Sequence, residues 1–328
     1  MMKHKQFKNT AYHQTGLSLI ELMISMVVGL FLLAGVVTNF LGTKDADHMR
    51  DAISNMDANA NEALTVLRTT ISHAGYSSME NIRLDKPFYT ASDGVLTNEN
   101  ICRNGSKPNR WTPAFNRRTR DINVQDRITV VSLADNPCRD GATSCPNMAD
   151  VNPAALHYTD CLGNGGEATI RDTRAVYCST DPDVGMPDPT QAKIYSTFRI
   201  IRNPNVPTRD RGLYCEGSRT SGHIDTKRIA DNVEAMQFLY GVRQENGNTS
   251  YRTANQVEDD DQWGMVRSVQ VGLLMRSENQ YLLKQPSTKN TYRLLKEPVT
   301  IANDDLRRLF KIYTTTINLE NVDTGALL

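Results

Sequence analysis

Residues 16–42 read GLSLIELMISMVVGLFLLAGVVTNFLG, an almost wholly apolar run with one acid in it. Between Leu17 and Thr43 the only formal charge is Glu21, and Lys44 is the next one after it. A helix through this run has about 22 residues beyond the carboxylate, roughly 33 Å, enough to cross a hydrocarbon core. A carboxylate so placed needs a reason, because a charge in an apolar medium is costly unless it finds a partner.

The flanking residues narrow the reading. Residues 1–16 contain Lys3, Lys5 and Lys8 and no acid, a bias that holds the N-terminus in the cytoplasm and sends the rest outward. An ordinary secretory signal carries a small-residue cleavage site after its apolar region, and none follows this one. The order is instead a short basic leader, Gly16, then an apolar helix with Glu21 at the fifth position after the glycine.

That order resembles the class III signal of type IV prepilins, with G-L-S-L-I-E-L-M-I-S as the matching stretch. The resemblance implies that a prepilin peptidase cuts between Gly16 and Leu17 and methylates the new N-terminus at Leu17. Leu17 stands where the family most often has Phe, and it fills the same apolar slot. Glu21 then acquires a partner: the new amino group of a neighbouring subunit's Leu17 is a cation at the right depth, and the pair would fix the register between subunits.

With 328 residues the chain has room for this anchor and one large domain or two small ones. Lys plus Arg and Asp plus Glu number 37 each; losing the three leader lysines leaves 34 against 37, a formal charge of −3. Bulk charge therefore does not mark a nucleic-acid binder. The six cysteines, Cys102, Cys138, Cys145, Cys161, Cys178 and Cys215, all follow the apolar run, and an even count on the exported side favours disulfides. Cys138 and Cys145 form the easiest local pair, but six cysteines allow about 15 connectivities and spacing does not choose among them. No C-x-x-C occurs, and His157 and His223 lack a matching spacing, which argues against zinc.

After Lys44 the helical pattern continues but becomes amphipathic. Ala46, Met49, Ile53, Met56, Ala60, Ala63 or Leu64, Leu67, Ile71 and Ala74 recur at steps of three and four and share one face. No proline interrupts from Leu17 to Gly75, which predicts one helix over 17–74, ~87 Å long, ended by Gly75. Many major pilins have a proline in the apolar half; here only Gly29, Gly35 and Gly42 permit bending or close approach.

Residues 77–125 read as loop-rich. Strands are expected at 128–131, 155–158, 169–179 and 193–202, then at 213–215, 229–242, 266–277 and 306–318. Val233, Ala235 and Met236 suggest a short turn entering a half-buried strand around Phe238 and Tyr240. The cluster Gly163, Gly165 and Gly166 lacks the flanks of a phosphate loop and reads as a turn. The order N-V-E-A-M-Q-F-L-Y-G-V, W-G-M-V-R-S-V-Q-V-G-L-L-M-R-S and R-R-L-F-K-I-Y-T-T-T-I-N-L-E-N over the C-terminal third resembles PilW-type minor pilins.

Catalytic constellations are absent: there is no G-x-S-x-G, H-E-x-x-H, Walker loop or Rossmann fingerprint. His48, His73, His157 and His223 have no Cys or carboxylate at catalytic spacing, so each reads as ordinary structure and the chain as no enzyme, with no cofactor or metal. Glu258-Asp259-Asp260-Asp261 beside Trp263 reads as a solvated acidic turn rather than a calcium loop. Arg117, Arg118 and Arg120, following Trp111 and Phe115, mix arginine with aromatics as single-strand DNA grooves do, although a solvated loop or subunit contact explains them better.

The expected architecture is α+β, a type IV pilin-like fold with a long N-terminal helix packed on an antiparallel β domain with disulfide-bearing loops. Its parts are a cleaved leader at 1–16, an apolar helix half at 17–43, an amphipathic half at 44–75 and a periplasmic or extracellular domain at 76–328. The resemblance implies a minor pilin that initiates or caps a type IV pilus and supports motility, adhesion or DNA uptake. Implied partners are the major and other minor pilins, the prepilin peptidase, the inner-membrane assembly platform and a large tip adhesin, with DNA a weaker one. The chain would sit in the inner membrane before assembly and on the pilus afterwards. A minor pseudopilin of type II secretion shares this N-terminus, and an anchored binding module for DNA or host surfaces is the reading from another class.

Overall fold

A computed structural model of the chain describes residues 18–76, 87–89, 126–133, 160–162, 193–202, 211–218, 224–279 and 282–321. Helix α1 spans Leu19–Ser72, 54 residues, two short of the expected end on each side. It stops as glycine chemistry requires: Gly75 takes φ 76°, a left-handed turn that closes helices, and its N–H reaches Val131 O at 2.8 Å. The chain divides after Asp51 into two units. In the first, every described residue from Ser18 to Asp51 is exposed.

The second unit is α+β. Strands β1 (Ile128–Leu133), β2 (Lys193–Arg202), β3 (Arg211–Ser218) and β4 (Ile224–Asp231) form one antiparallel sheet in that order. The second sheet takes β5 (Val233–Arg243), β6 (Thr249–Arg252), β7 (Val266–Arg276) and β10 (Phe310–Asn318), ordered β10-β7-β5-β6. A hairpin of β8 (Thr291–Leu294) and β9 (Glu297–Thr300) completes it, with a short helix α2 (Ala254–Asp259) between β6 and β7. The strands expected at 128–131, 193–202, 213–215 and 266–277 are present, while those at 155–158 and 169–179 and the glycine cluster at 163–166 lie outside the described residues.

One core joins helix and sheets. Met56, Ala60, Ala63, Leu67, Ile71 and Ala74 of the helical segment pack in one cluster with Met236 and Phe238 of β5, Val271 and Leu273 of β7, and Ile128 and Phe198 of the first sheet. These six follow the expected three-and-four spacing. Burial begins at Met56, however: Met49 and Ile53 are each 37% exposed, so the face expected from Ala46 onward is covered only in its later turns.

Three sequence expectations are corrected in the second sheet. Strands β4 and β5 are separated by a single residue, Asn232, at φ 60°, a conformation that Asn tolerates better than most. Strand β5 is buried almost throughout rather than half-buried. Its second face is covered as well, by a smaller cluster of Ala235, Leu274, Leu294 and Ile301 with Phe310 and Ile312 around them. Finally, β10 begins at Phe310 rather than at 306, because 303–308 turns to bring Arg308 Nη1 onto Ser277 O at 2.7 Å.

Candidate functional site

At the start of α1, the Ser18 carbonyl accepts the N–H groups of Glu21 and Leu22 at 3.1 and 3.2 Å, and the Ser18 hydroxyl accepts the Glu21 N–H at 3.3 Å. Ser18 is thus the residue that caps the helix, with Glu21 in the first turn. One turn further, the Ser25 hydroxyl donates to Glu21 O at 2.7 Å, and Thr43 does the same to Asn39 O at 3.0 Å. These hydroxyls are satisfied within the helix itself, which suits a segment surrounded by apolar groups.

The Glu21 carboxylate has no such arrangement. Among the described residues it makes no hydrogen bond or ion pair, and it stands among exposed apolar side chains such as Leu22, Ile24 and Val28. The helix is long and apolar enough to cross a membrane by length and composition, and none of its apolar window is buried within the chain.

In the second unit, two devices hold the segments together. Cys161 and Cys215, 54 positions apart in sequence, form a disulfide with Cα atoms 6.1 Å apart, tying residues 160–162 to β3. Gly217 lies under this contact: a Cβ there would come 2.4 Å from Asp160 Oδ2. The second device is a buried charge network. Arg211 pairs with Glu234 Oε1, Arg276 Nη1 lies 3.4 Å from Glu234 Oε2 and 3.8 Å from Asp305 Oδ2, and Arg308 Nε bonds Asp305 Oδ1 at 2.9 Å. Burial works against the charge on both Glu234 and Arg276, and the opposite charges beside them are what offset it.

The acidic run is part of the local fold. Glu258 accepts the buried Trp263 indole N–H at 2.5 Å, and Asp260 pairs with Arg252. Among the described residues no group of His, Cys, Asp and Glu is placed to hold a metal ion. His73 Nδ1 lies 2.6 Å from Thr69 O, in the same helix.

Residues 12–37 match the model of the prokaryotic N-terminal methylation motif, and residues 197–321 match that of type IV pilus-assembly protein W. Over these two stretches the chain is similar to PilW-type pilins. Neither a curated protein nor a solved structure gives a match. The methylation motif takes in Ser18, Glu21 and Ser25, and the PilW region runs from β2 through β10, so it contains all five members of the charge network. That similarity points to a structural component of a pilus.

Of the residues singled out in the sequence, the structure places Glu21, Cys161 and Cys215 and joins the two cysteines. Gly16, Leu17, Cys102, Cys138, Cys145, Cys178, Arg117, Arg118 and Arg120 lie outside the described residues, and so does the local pairing of Cys138 with Cys145. Sequence reading missed Ser18, although S-L-I-E is a capping-box pattern that could have found it. It also missed the charge network, for which no local signal exists, since its members come together from 211, 234, 276, 305 and 308.

Proposed function

We propose that this chain is a minor pilin, cut between Gly16 and Leu17 and methylated at Leu17, that helps initiate or cap a type IV pilus. The observation that supports the reading is the Glu21 carboxylate, without a partner among the described residues, in the first turn of an exposed apolar helix that Ser18 caps. A lone subunit cannot satisfy that charge, whereas a neighbouring subunit's new N-terminal amine can. Before assembly the segment 17–43 anchors the chain in the inner membrane with residues 1–16 cytoplasmic and the domain from 76 onward periplasmic. After assembly it packs against the same segment of other pilins. The partners are then the major pilin, other minor pilins, the prepilin peptidase, the assembly platform and a tip adhesin, and the pilus serves motility, adhesion or DNA uptake. The match to the PilW model favours the pilus over a type II secretion pseudopilin.

Two substitutions test this. Gly16→Ala leaves the leader attached, which N-terminal sequencing of the membrane-extracted protein reads directly. Glu21→Ala leaves membrane insertion intact and removes the protein from sheared pili; an undiminished amount in the pilus fraction refutes the role of Glu21.

A further inference from the structure

Between the two sheets lies a buried acid that neither the core nor the charge network uses. Asp126 stands two residues before β1, is 9% exposed, and accepts the Phe238 N–H of β5 on Oδ2 at 3.1 Å. It thereby takes a main-chain donor of β5 and ties the start of the first sheet to the middle of the second. Its surroundings favour the uncharged acid. The charged group acting on Asp126 is the Glu297 carboxylate of β9, of like sign, and Asp126 acts in turn on the Tyr240 phenol of β5. Tyr240 is fully buried, and its hydroxyl has no hydrogen-bond partner among the described residues.

We propose that Asp126 is a proton-dependent latch between the two sheets, which holds the start of β1 against β5 while the carboxyl is protonated and loosens when it ionises. The physical cause is desolvation. A neutral carboxyl can accept one N–H in a dry site at little cost, whereas a carboxylate there gives up its hydration for a single donor and faces another carboxylate. Burial pushes the Asp126 carboxyl up to about 7, against the pull of the Phe238 N–H. The folded pKa then lies above the unfolded one, so the latch contributes fully below about pH 4 and is lost as the pH rises through 7. On the exported side of the membrane, where the proposed function puts this domain, the medium sets that pH. The latch itself depends only on the contact between β1 and β5, not on that location.

The test uses the full-length chain in detergent micelles, melted between pH 4 and 8.5 as wild type and as Asp126→Asn, which keeps an acceptor for the Phe238 N–H and cannot ionise. The wild type should lose several degrees of melting temperature relative to Asp126→Asn as the pH rises from 5 to 8, with a parallel loss of hydrogen-exchange protection at the Phe238 amide. Identical pH profiles for the two proteins overturn the proposal. Should Asp126→Asn not fold, carbon-13 NMR of the aspartate carboxyls in the wild type decides alone. A resonance titrating near 7 that is assigned to Asp126 supports the latch, and a midpoint near 4 overturns it.

Discussion

Lys311 Nζ lies 2.6 Å from Asp57 Oδ1, and the Tyr313 hydroxyl donates to the same carboxylate oxygen. Both donors stand on β10, at the edge of the second sheet, and both point toward α1, as do Thr315, which receives a bond from Arg68, and the buried Ile317. Alternate residues of β10 therefore make the polar seam and the apolar contact with the helix. Lys311 and then Tyr313 hold the Asp57 carboxyl below its ordinary range, and burial together with Asp57 pushes the Tyr313 phenol up.

The seam is solvent-accessible, so its contribution is small and sensitive to salt. Asp57→Asn is expected to lower the melting temperature slightly at pH 7 in low salt. Because the carboxyl of Asp57 is depressed in the folded state, its contribution exists above the unfolded pKa and disappears as the pH falls through the folded one. Wild type and variant should converge in acid, once the pH has fallen through the folded pKa of Asp57. A difference that persists undiminished in acid would show that Asp57 acts through packing instead.

The charge network makes the opposite prediction about size. Glu234 faces Arg211 and Arg276, and all three side chains are buried. Removing one partner of a buried pair leaves an uncompensated charge, which costs about 3–5 kcal/mol. Glu234→Ala should lose that much in denaturant unfolding, and adding Arg211→Ala to it should recover part of the loss. A single-variant loss below about 1 kcal/mol would mean that water reaches the site.

What the sequence made legible follows from how local each signal is. The helix was readable because its spacing, its uninterrupted run and Gly75 all act within a few turns. The edge of its buried face was not, because nothing near Met49 or Ile53 reports how far the β domain reaches. Strand β5 was misjudged as half-buried for the same reason: the alternation around Gln237 is local, while the cover on its second face comes from residues 294–312. The candidate site divides likewise. Glu21 announces itself as the lone charge in an apolar run, but Asp126 looks like any loop acid until Phe238, 112 residues away, is folded against it.

The β8–β9 hairpin offers a steric prediction. Leu295 at its tip takes φ 48°, an unusual conformation for a leucine, and its side chain lies over Gly272 of β7. A Cβ at Gly272 would come 2.9 Å from Leu295 Cγ and 3.0 Å from Leu294 Cδ1, too close for either to stay. Gly272→Ala is therefore expected to lift the hairpin, at about 1–3 kcal/mol, and to break the contact of Lys296 Nζ with Tyr251 O, now 2.6 Å. Limited proteolysis of wild type and variant should show new cutting near 295 in the variant; an unchanged digestion pattern would count against the packing described.

The disulfide gives the last prediction. Cys215 is fully buried in β3 and bonded to Cys161, whose N–H also donates to Ser196 Oγ of β2 at 3.1 Å. The bond closes a loop of 54 residues in sequence. Chain-entropy reasoning gives such a cross-link a contribution of about 4 kcal/mol, acting mainly on the unfolded state. Cys161→Ser should lower stability by that order and leave Cys215 protected from thiol reagents in the native protein, since β3 and its core neighbours keep it covered. Cys215→Ser should cost more, because it also places a hydroxyl in the apolar cluster around Phe198 and Leu213. Equal losses for the two variants, measured by denaturant unfolding under non-reducing conditions, would mean that the cross-link accounts for the whole effect and the burial of Cys215 for none of it.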